Sequence, residues 1–376
     1  MNYRDNASNN VCSMLSTQDT TLKKLPFNNI SYKRSEEKDY FCDKDNMNDY
    51  INKIYPEFYE QFELTNFINS GSVGYVYEGK YKYNSQKYAF KICVDKKRDE
   101  KKDEKKDEKK KEKNKFQEIS MVKKLHHKNI TQILAFIKMD ENSYFSVLEF
   151  GKHGDLDNFV NNLLKRKILS ETCINYFAKQ ILDCLEYIHR CKIVHMDIKQ
   201  GNILIDSDLT IKIIDFSASS SYAEFNPEDL AKFPFVGTGK YIPPEIINRT
   251  HMKIKYAQEI DIYSFGVTLY YLTFGIYPYQ LNDIKSKEYE KILEKVKNGN
   301  LEFPKEIKIS EKYKDFLSKI LEKDYLKRIS IKEALEHPWI KGWNIIDDEK
   351  QNTACQENFL IKLITDNIPE FNEYIK

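Results

Sequence analysis

The run Asn69-Ser70-Gly71-Ser72-Val73-Gly74-Tyr75-Val76 lies between two β-rich stretches and carries glycines at 71 and 74. Glycine has no Cβ, so a hairpin built on such a run can lie directly over an oxyanion and aim backbone N–H groups at it, which suits a phosphate. A strand–glycine–strand turn is equally a plain hairpin, and the neighbours decide between the two readings. The next β-rich stretch contains Tyr88-Ala89-Phe90-Lys91. A lysine amid apolar neighbours on a central strand is costly unless its ammonium is paired. Glu118 follows in a helical pattern, on the register where an ion-pair partner belongs. So paired, Lys91 would hold the α- and β-phosphates of a nucleotide and Glu118 would hold Lys91. Farther on, His195-Met196-Asp197-Ile198-Lys199-Gln200-Gly201-Asn202 concentrates a carboxylate, an amine and an amide, and Asp215 closes the largely apolar run 211–214.

These side chains need elements to hold them. From Phe62 the chain reads as short strands, FELTNFI, GYVYEGKY and KYAFKICV, separated by the turn-forming NSGS and KYNSQ. That is an antiparallel meander. Residues 96–115, KKRDEKKDEKKDEKKKEKNK, repeat in fours, so like charges recur at i,i+4 and oppose the good helix propensities of Lys and Glu. A solvated loop or frayed helical extension is the favoured reading; a docking arm for an acidic partner is the alternative. Phe116, Ile119, Val122 and Leu125 predict a helix over 116–125. Two strands follow in ITQILAFIK and YFSVLEF, and from Asp155 helical patterns dominate: LDNFVNNLL, CINYFAKQILDCLEYIHR and EIDIYSFGVTLYYLTFG. A small β-rich lobe before a larger helical one makes the chain α+β. Residues 1–55 are polar and Asn-rich without periodicity, so mostly disorder is expected there. Phe359, Leu360, Leu363, Ile364 and Ile368 mark a short amphipathic helix near the end, expected to pad the helical lobe.

A chain of 376 residues can bury a sizeable core, and its net charge of +2 argues against a general nucleic-acid binder. Seven cysteines, at 12, 42, 93, 173, 184, 191 and 355, show no zinc spacing and suit free thiols in a reducing compartment. The start, MNYRDNASNN, has no apolar signal segment, Asn2 excludes N-myristoylation, and no apolar run is long enough for a membrane span. A cytoplasmic protein is expected, with the nucleus open as well. The oligomeric state is not encoded in any of these features.

Taken in order, the motifs resemble the eukaryotic protein kinase family. Its catalytic loop is H-R-D-x-K-x-x-N, and residues 195–202 match except that Met196 stands for the arginine. The resemblance covers roughly 58–342, between an N-terminal extension (1–57) and a C-terminal tail (343–376). It implies a bilobal α+β protein kinase fold, with a small antiparallel β-sheet lobe carrying one key helix and a larger, mainly helical lobe. The implied activity is transfer of the γ-phosphoryl of ATP, with Mg2+ or in its place Mn2+, to protein hydroxyls. Asp197 would orient the acceptor hydroxyl and take its proton, and Lys199 would neutralise the γ-phosphate. Asn202 and Asp215, the latter in Asp215-Phe216-Ser217 where the family has D-F-G, would hold the metal. Asn69, Gly71 and Gly74 would cover the phosphates. Val76 and Ala89 above and Leu204 below would sandwich the adenine, whose edge the backbone of Glu149 and Gly151 would bind beside a Leu148 gatekeeper. Val122, Ile133, Phe216 and His195 would stack on Asp261, Arg328 would pair with Glu245, and Thr238 would touch Asp197 and Lys199. Pro243-Pro244-Glu245 and His337-Pro338-Trp339 match the close of the activation segment and of the helical lobe.

Where the pattern departs, it departs coherently. Met196 replaces the arginine that in many kinases receives an activation-loop phosphate, and Pro234 occupies the position where that phosphate sits. Independence from phosphorylation at that site is therefore expected. Ser217 in place of glycine should stiffen the start of the activation segment, and Gly201 removes an acidic side chain that some basic-directed kinases carry. A pseudokinase scaffold would show loss of Lys91, Asp197, Asn202 or Asp215, and none is lost. A tyrosine-directed enzyme is disfavoured by Lys199 and Thr238. Phosphoamino-acid analysis of an autophosphorylation reaction is expected to yield phosphoserine and phosphothreonine; phosphotyrosine alone would contradict the serine/threonine reading.

Overall fold

Period-two alternation carries residues 62–93 into three antiparallel strands, β1 (Phe62–Ser70), β2 (Tyr75–Tyr81) and β3 (Lys87–Cys93). With β4 (Ile133–Lys138) and β5 (Tyr144–Glu149) they form a five-stranded sheet of order β1-β2-β3-β5-β4. The structure is a computed structural model that describes residues 43–54, 56–70, 74–83, 85–93, 121–138, 144–160, 169–206 and 209–342. It divides into two units, one drawn from Met1–Lys123 and Thr131–Phe150, the other from Lys124–Ile130 and Gly151–Lys376.

In the sheet unit, alternate residues point to opposite faces. One face buries Tyr75, Tyr77, Phe90, Ile92, Phe145 and Val147 in a single apolar cluster. A helix closes it: α1 (Lys44–Ile54) sends Met47 (0% exposed) and Ile51 (2%) into that cluster. Within the N-terminal extension expected to be mostly disordered, residues 44–54 are helical; residues 1–42 lie outside the described residues. Among the described apolar side chains of α1, Met47 and Ile51 are buried and Tyr50 is partly buried against the same cluster, a stripe too short to stand out in a polar sequence. The start of α1 is capped by Asp43, whose Oδ1 accepts from the N–H groups of Asp45 (2.8 Å) and Asn46 (3.1 Å). A second helix, α2 (Pro56–Gln61), leads into β1. The helix expected over 116–125 is described from Met121 and ends at Val122, with a turn at 123–124. The charged repeat 96–115 and the amphipathic segment near the C-terminus lie outside the described residues.

The other unit is built around α5 (Glu259–Phe274), in which every residue except Tyr271 is buried. It packs on α3 (Glu171–Arg190), whose Ser170 cap accepts from the Cys173 N–H at 3.3 Å. Gly275 ends α5 at φ +67, a conformation glycine adopts without strain. Between α3 and α5 run the pairs β6 (Ile193–Val194) with β9 (Ser220–Ser221) and β7 (Ile203–Ile205) with β8 (Ile211–Ile213). The short α4 (Pro244–Ile247) follows, and β10 (Leu230–Ala231) pairs with β11 (Met252–Lys253). The chain continues through α6 (Tyr289–Asn298), α7 (Glu311–Ile320), α8 (Ile331–Glu336) and α9 (Pro338–Lys341). Trp339 is fully buried and stacks on Tyr313 at 4.1 Å, while its Nε1 donates to Glu171 at 2.9 Å, so the close of the unit is fastened to the start of α3.

Arg328 is buried and forks onto Glu245, with Nη1 to Oε1 at 2.7 Å and Nη2 to Oε2 at 3.1 Å, as the resemblance implied. Its Nη1 also donates to the Glu259 carbonyl oxygen at 2.7 Å. One guanidinium thus stands among two buried carboxylates, and among the described residues Glu259 Oε2 has no hydrogen-bond partner. Burial pushes the Glu259 carboxyl up from 4.5 to about 7, against the opposing pull of Arg328. The folded state therefore keeps a proton that the unfolded chain releases, and this group's contribution to stability falls as pH rises from 4.5 towards about 7. Glu259→Gln is expected to melt above the parent protein at pH 8 and to match it near pH 4; equal melting temperatures at both pH values would contradict this.

Candidate active site

In the sheet unit, Lys91 is half-buried on β3 between Phe90 and Ile92, both fully buried. The register sets Lys91 opposite Val76 on β2 and Ser146 on β5, and Ala89 opposite Leu148. Cross-strand rows share a face, so Val76, Ala89, Lys91 and Leu148 are gathered on the face opposite the one that α1 covers. Asn69 pairs with Val76 in the adjoining hairpin. Gly74 has a tighter reason to be glycine than phosphate access: a Cβ there would lie 2.2 Å from the Ile92 carbonyl oxygen. Gly71 and Glu118 lie outside the described residues. The Gln132 N–H donates to Glu149 Oε2 at 3.2 Å, which holds β5 to the approach of β4.

In the helical unit the loop after β6 is shaped by one carboxylate. Asp261 is 0% exposed; its Oδ2 accepts from the His195 N–H (2.8 Å) and its Oδ1 from the Met196 N–H (2.8 Å). His189 Nε2, at the end of α3, stands 2.8 Å from Oδ2. Burial pulls the Asp261 carboxyl upward, but the bonds from His189 and from the His195 backbone outweigh it, and its pKa is lowered. Met196 adopts φ +66, a left-handed conformation that costs a side-chain-bearing residue about 1–2 kcal/mol, and its bonded N–H holds it there. His195 Nε2 reaches the Ile214 carbonyl oxygen (3.0 Å) and Nδ1 accepts from the Asp197 N–H (3.3 Å), so the ring carries its hydrogen on Nε2. The His195 and Phe216 rings meet edge to face at 4.8 Å, as expected of those two.

The loop brings the sequence-predicted residues together. Asp197 Oδ2 accepts from Lys199 Nζ and from Asn202 Nδ2, each at 2.8 Å, and Oδ1 accepts from Thr238 Oγ1 at 2.7 Å. Lys199 Nζ also donates to Thr238 Oγ1 at 2.5 Å. Gly237, before Thr238, has φ +103, and a Cβ there would lie 2.6 Å from the Met196 carbonyl oxygen, so this close approach needs glycine. Asn202 commits its Nδ2 to Asp197, which leaves its amide oxygen as the atom for a hard cation. The Ile214 N–H donates to the Asn202 carbonyl oxygen at 3.0 Å, setting Asp215 beside it. Asp215 itself takes φ +62, and Ser217 sits in the helical turn Phe216–Ala218, so serine there meets no left-handed requirement. Leu204 lies against Gly151, where a Cβ would come within 2.9 Å of the leucine Cβ. Asp155 caps Leu156–Asn158 through the Asn158 N–H (2.7 Å), and burial raises its pKa.

Two contributors were missed in the sequence. His189 sits in the last turn of α3 and reads as a surface residue of an amphipathic helix. Gln200 accepts from Tyr241 Oη at 2.7 Å and ties the loop to the segment after Thr238; nothing in its spacing marks it.

The chain belongs to a known family: the protein kinase domain model matches residues 62–340. It is 34% identical over 294 residues to calcium-dependent protein kinase 4 of Plasmodium berghei, covering 76% of this chain and 50% of the relative. It is 33% identical over 225 residues to a cell cycle serine/threonine-protein kinase of Saccharomyces cerevisiae, covering 60% of this chain and 30% of that one. With the hormonally up-regulated neu tumor-associated kinase of Mus musculus it shares 31% over 277 residues, 73% of this chain and 35% of the relative. The chain thus spans half the length, or less, of the relatives it matches. In a phosphoryl-transfer assay, Thr238→Val is expected to lower kcat by about tenfold to a hundredfold, because Asp197 and Lys199 lose their shared partner, while Thr238→Ser restores it. An unchanged kcat for Thr238→Val would contradict the arrangement.

Proposed function

We propose that this chain is a serine/threonine protein kinase that transfers the γ-phosphoryl of ATP to protein hydroxyls. The observation that carries the reading is the bonded set Asp197, Lys199, Asn202 and Thr238, a carboxylate held ready between an amine, an amide and a hydroxyl. Asp197 accepts the proton of the acceptor hydroxyl, and Lys199 balances charge on the transferred phosphoryl group. Asn202 and Asp215 would hold a divalent cation, Mg2+ by preference, which would neutralise charge on the phosphates. Among the described residues no group of three or more His, Cys, Asp or Glu is arranged for a metal; a carboxylate and an amide completed by phosphate oxygens is a different donor set and fits these residues. Lys91 would hold the α- and β-phosphates with Glu118 as its partner, and Val76, Ala89, Leu204 and the backbone of Glu149 and Gly151 would receive the adenine.

Turnover does not require phosphorylation at the usual activation-segment site, where Pro234 stands. Met196 is 4% exposed in a cluster with Tyr222, Phe233, Ile242 and Met252, so apolar packing takes the place of a phosphate–arginine pair. Ser219 donates to the His195 carbonyl oxygen (3.2 Å) and Tyr222 to that of His189 (3.0 Å), which removes both hydroxyls from solvent. On the outer side, Glu228 accepts from Lys253 (2.7 Å) and Lys255 (2.6 Å) alongside the β10–β11 pair. No helix among the described residues is long and apolar enough to cross a membrane, and a cytoplasmic location belongs to the proposal.

Protein treated with phosphatase and verified by mass spectrometry is expected to keep its kcat. Asp197→Asn is expected to lose about 10²–10⁴-fold, the usual contribution of a positioned base. Complete loss of turnover on dephosphorylation would overturn the activation account, and full activity of Asp197→Asn the catalytic one.

A further inference from the structure

The ladder of the strand that leads into the loop 69–76 is interrupted twice. β1 has nine residues against seven in β2, and the pairing shifts twice, between Leu64 and Asn66 and between Phe67 and Asn69. Thr65 and Ile68 are the extra residues. β1 is also an edge strand, with a neighbour on one side only. A slip of one residue would exchange which side chains of β1 face the core, so an edge strand bulged twice gains from a constraint outside its own ladder.

A second constraint sits on the outer edge of β1. Asn48, on α1, is 9% exposed; its Nδ2 donates to the Leu64 carbonyl oxygen at 2.9 Å, and its Oδ1 accepts from the Leu64 N–H at 3.1 Å. One side-chain amide thus reproduces a full ladder rung, immediately before the first bulge. The rung is stiff because α1 is seated by Met47 and Ile51 in the core behind the sheet. Beyond the bulges the strand delivers Asn69 and Ser70, paired with Val76 and Tyr75, to the loop. α1 lies before residue 62, where the family match begins.

We infer that Asn48 is a positioning residue for the nucleotide phosphates: by fixing Leu64 it steadies the register in which β1 brings Asn69 and Ser70, paired with Val76 and Tyr75, to the loop 69–76. The inference rests on the proposed role of that loop in binding ATP. Asn48 does not touch the nucleotide; it acts through the strand.

The test uses the full chain and three variants. Asn48→Ala removes both bonds. Asn48→Asp keeps the acceptor for the Leu64 N–H and loses the donor. Ile51→Val loosens the same helix and leaves the rung intact. For each, kcat, KM for ATP, KM for a peptide substrate and melting temperature are measured, together with Kd for ATP by calorimetry. Asn48→Ala is expected to raise KM and Kd for ATP about three- to tenfold, the scale of one net hydrogen bond, since only part of the loss at Leu64 reaches the nucleotide, with KM for the peptide unchanged. Asn48→Asp should fall between it and the parent, which serves even if the alanine variant folds poorly. Ile51→Val should lower the melting temperature and leave both ATP constants alone. If ATP constants stay at the parent values in Asn48→Ala and Asn48→Asp while melting falls, Asn48 only protects the strand edge and the inference is overturned. It is equally overturned if Ile51→Val shifts the ATP constants as far. A parent protein that neither binds nor consumes ATP would overturn the kinase reading itself and this inference with it.

Discussion

Three donors converge on the Asp261 carboxylate: the backbone N–H groups of His195 and Met196, and the imidazole of His189. An ionised carboxylate removed from water costs several kcal/mol unless its lone pairs are met, and here each oxygen is met. The strained backbone at Met196 persists because its N–H is one of those partners. The loop can then turn so that Asp197 points towards Lys199, Asn202 and Thr238. Remove the anchor, and the left-handed residue has no reason to remain left-handed.

Much of this chemistry was readable in advance because it depends on residue type at fixed spacing. A carboxylate, an amine and an amide within a run of eight residues admit few arrangements, and the structure bonds them to one another. Lys91 was readable for a related reason: a charge placed mid-strand among buried aromatics demands an explanation. What escaped notice depends on packing at long range. Helix α1 offers Met47, Ile51 and the partly buried Tyr50 to the core, and its contribution becomes visible when the sheet surface against which they fit is in place. Asn48 in an Asn-rich segment looks like any other polar residue until Leu64, sixteen positions away, lies beside it. His189 and Gln200 are likewise ordinary until the fold supplies Asp261 and Tyr241. Gly74 was read for phosphate access, and the backbone of β3 gives it a steric reason as well.

A common theme links the activation segment and the sheet unit. In both, a segment that must be held in place is held by constitutive contacts. Met196 sits with Tyr222 and Phe233 where a charged residue would wait for a phosphate, and α1 adds a rung to a strand whose own ladder is interrupted. Apolar burial is always present, whereas a phosphate-dependent ion pair exists only after modification.

Single-turnover phosphoryl transfer by Asp261→Asn tests the central dependence most directly. Asparagine matches aspartate in shape but offers one acceptor oxygen for three donors, so the loop should lose its fixed turn. The account predicts a transfer rate at least about a hundredfold below the parent protein, a loss of the size expected when a catalytic group is misplaced, with Kd for ATP preserved. A transfer rate equal to that of the parent would contradict it.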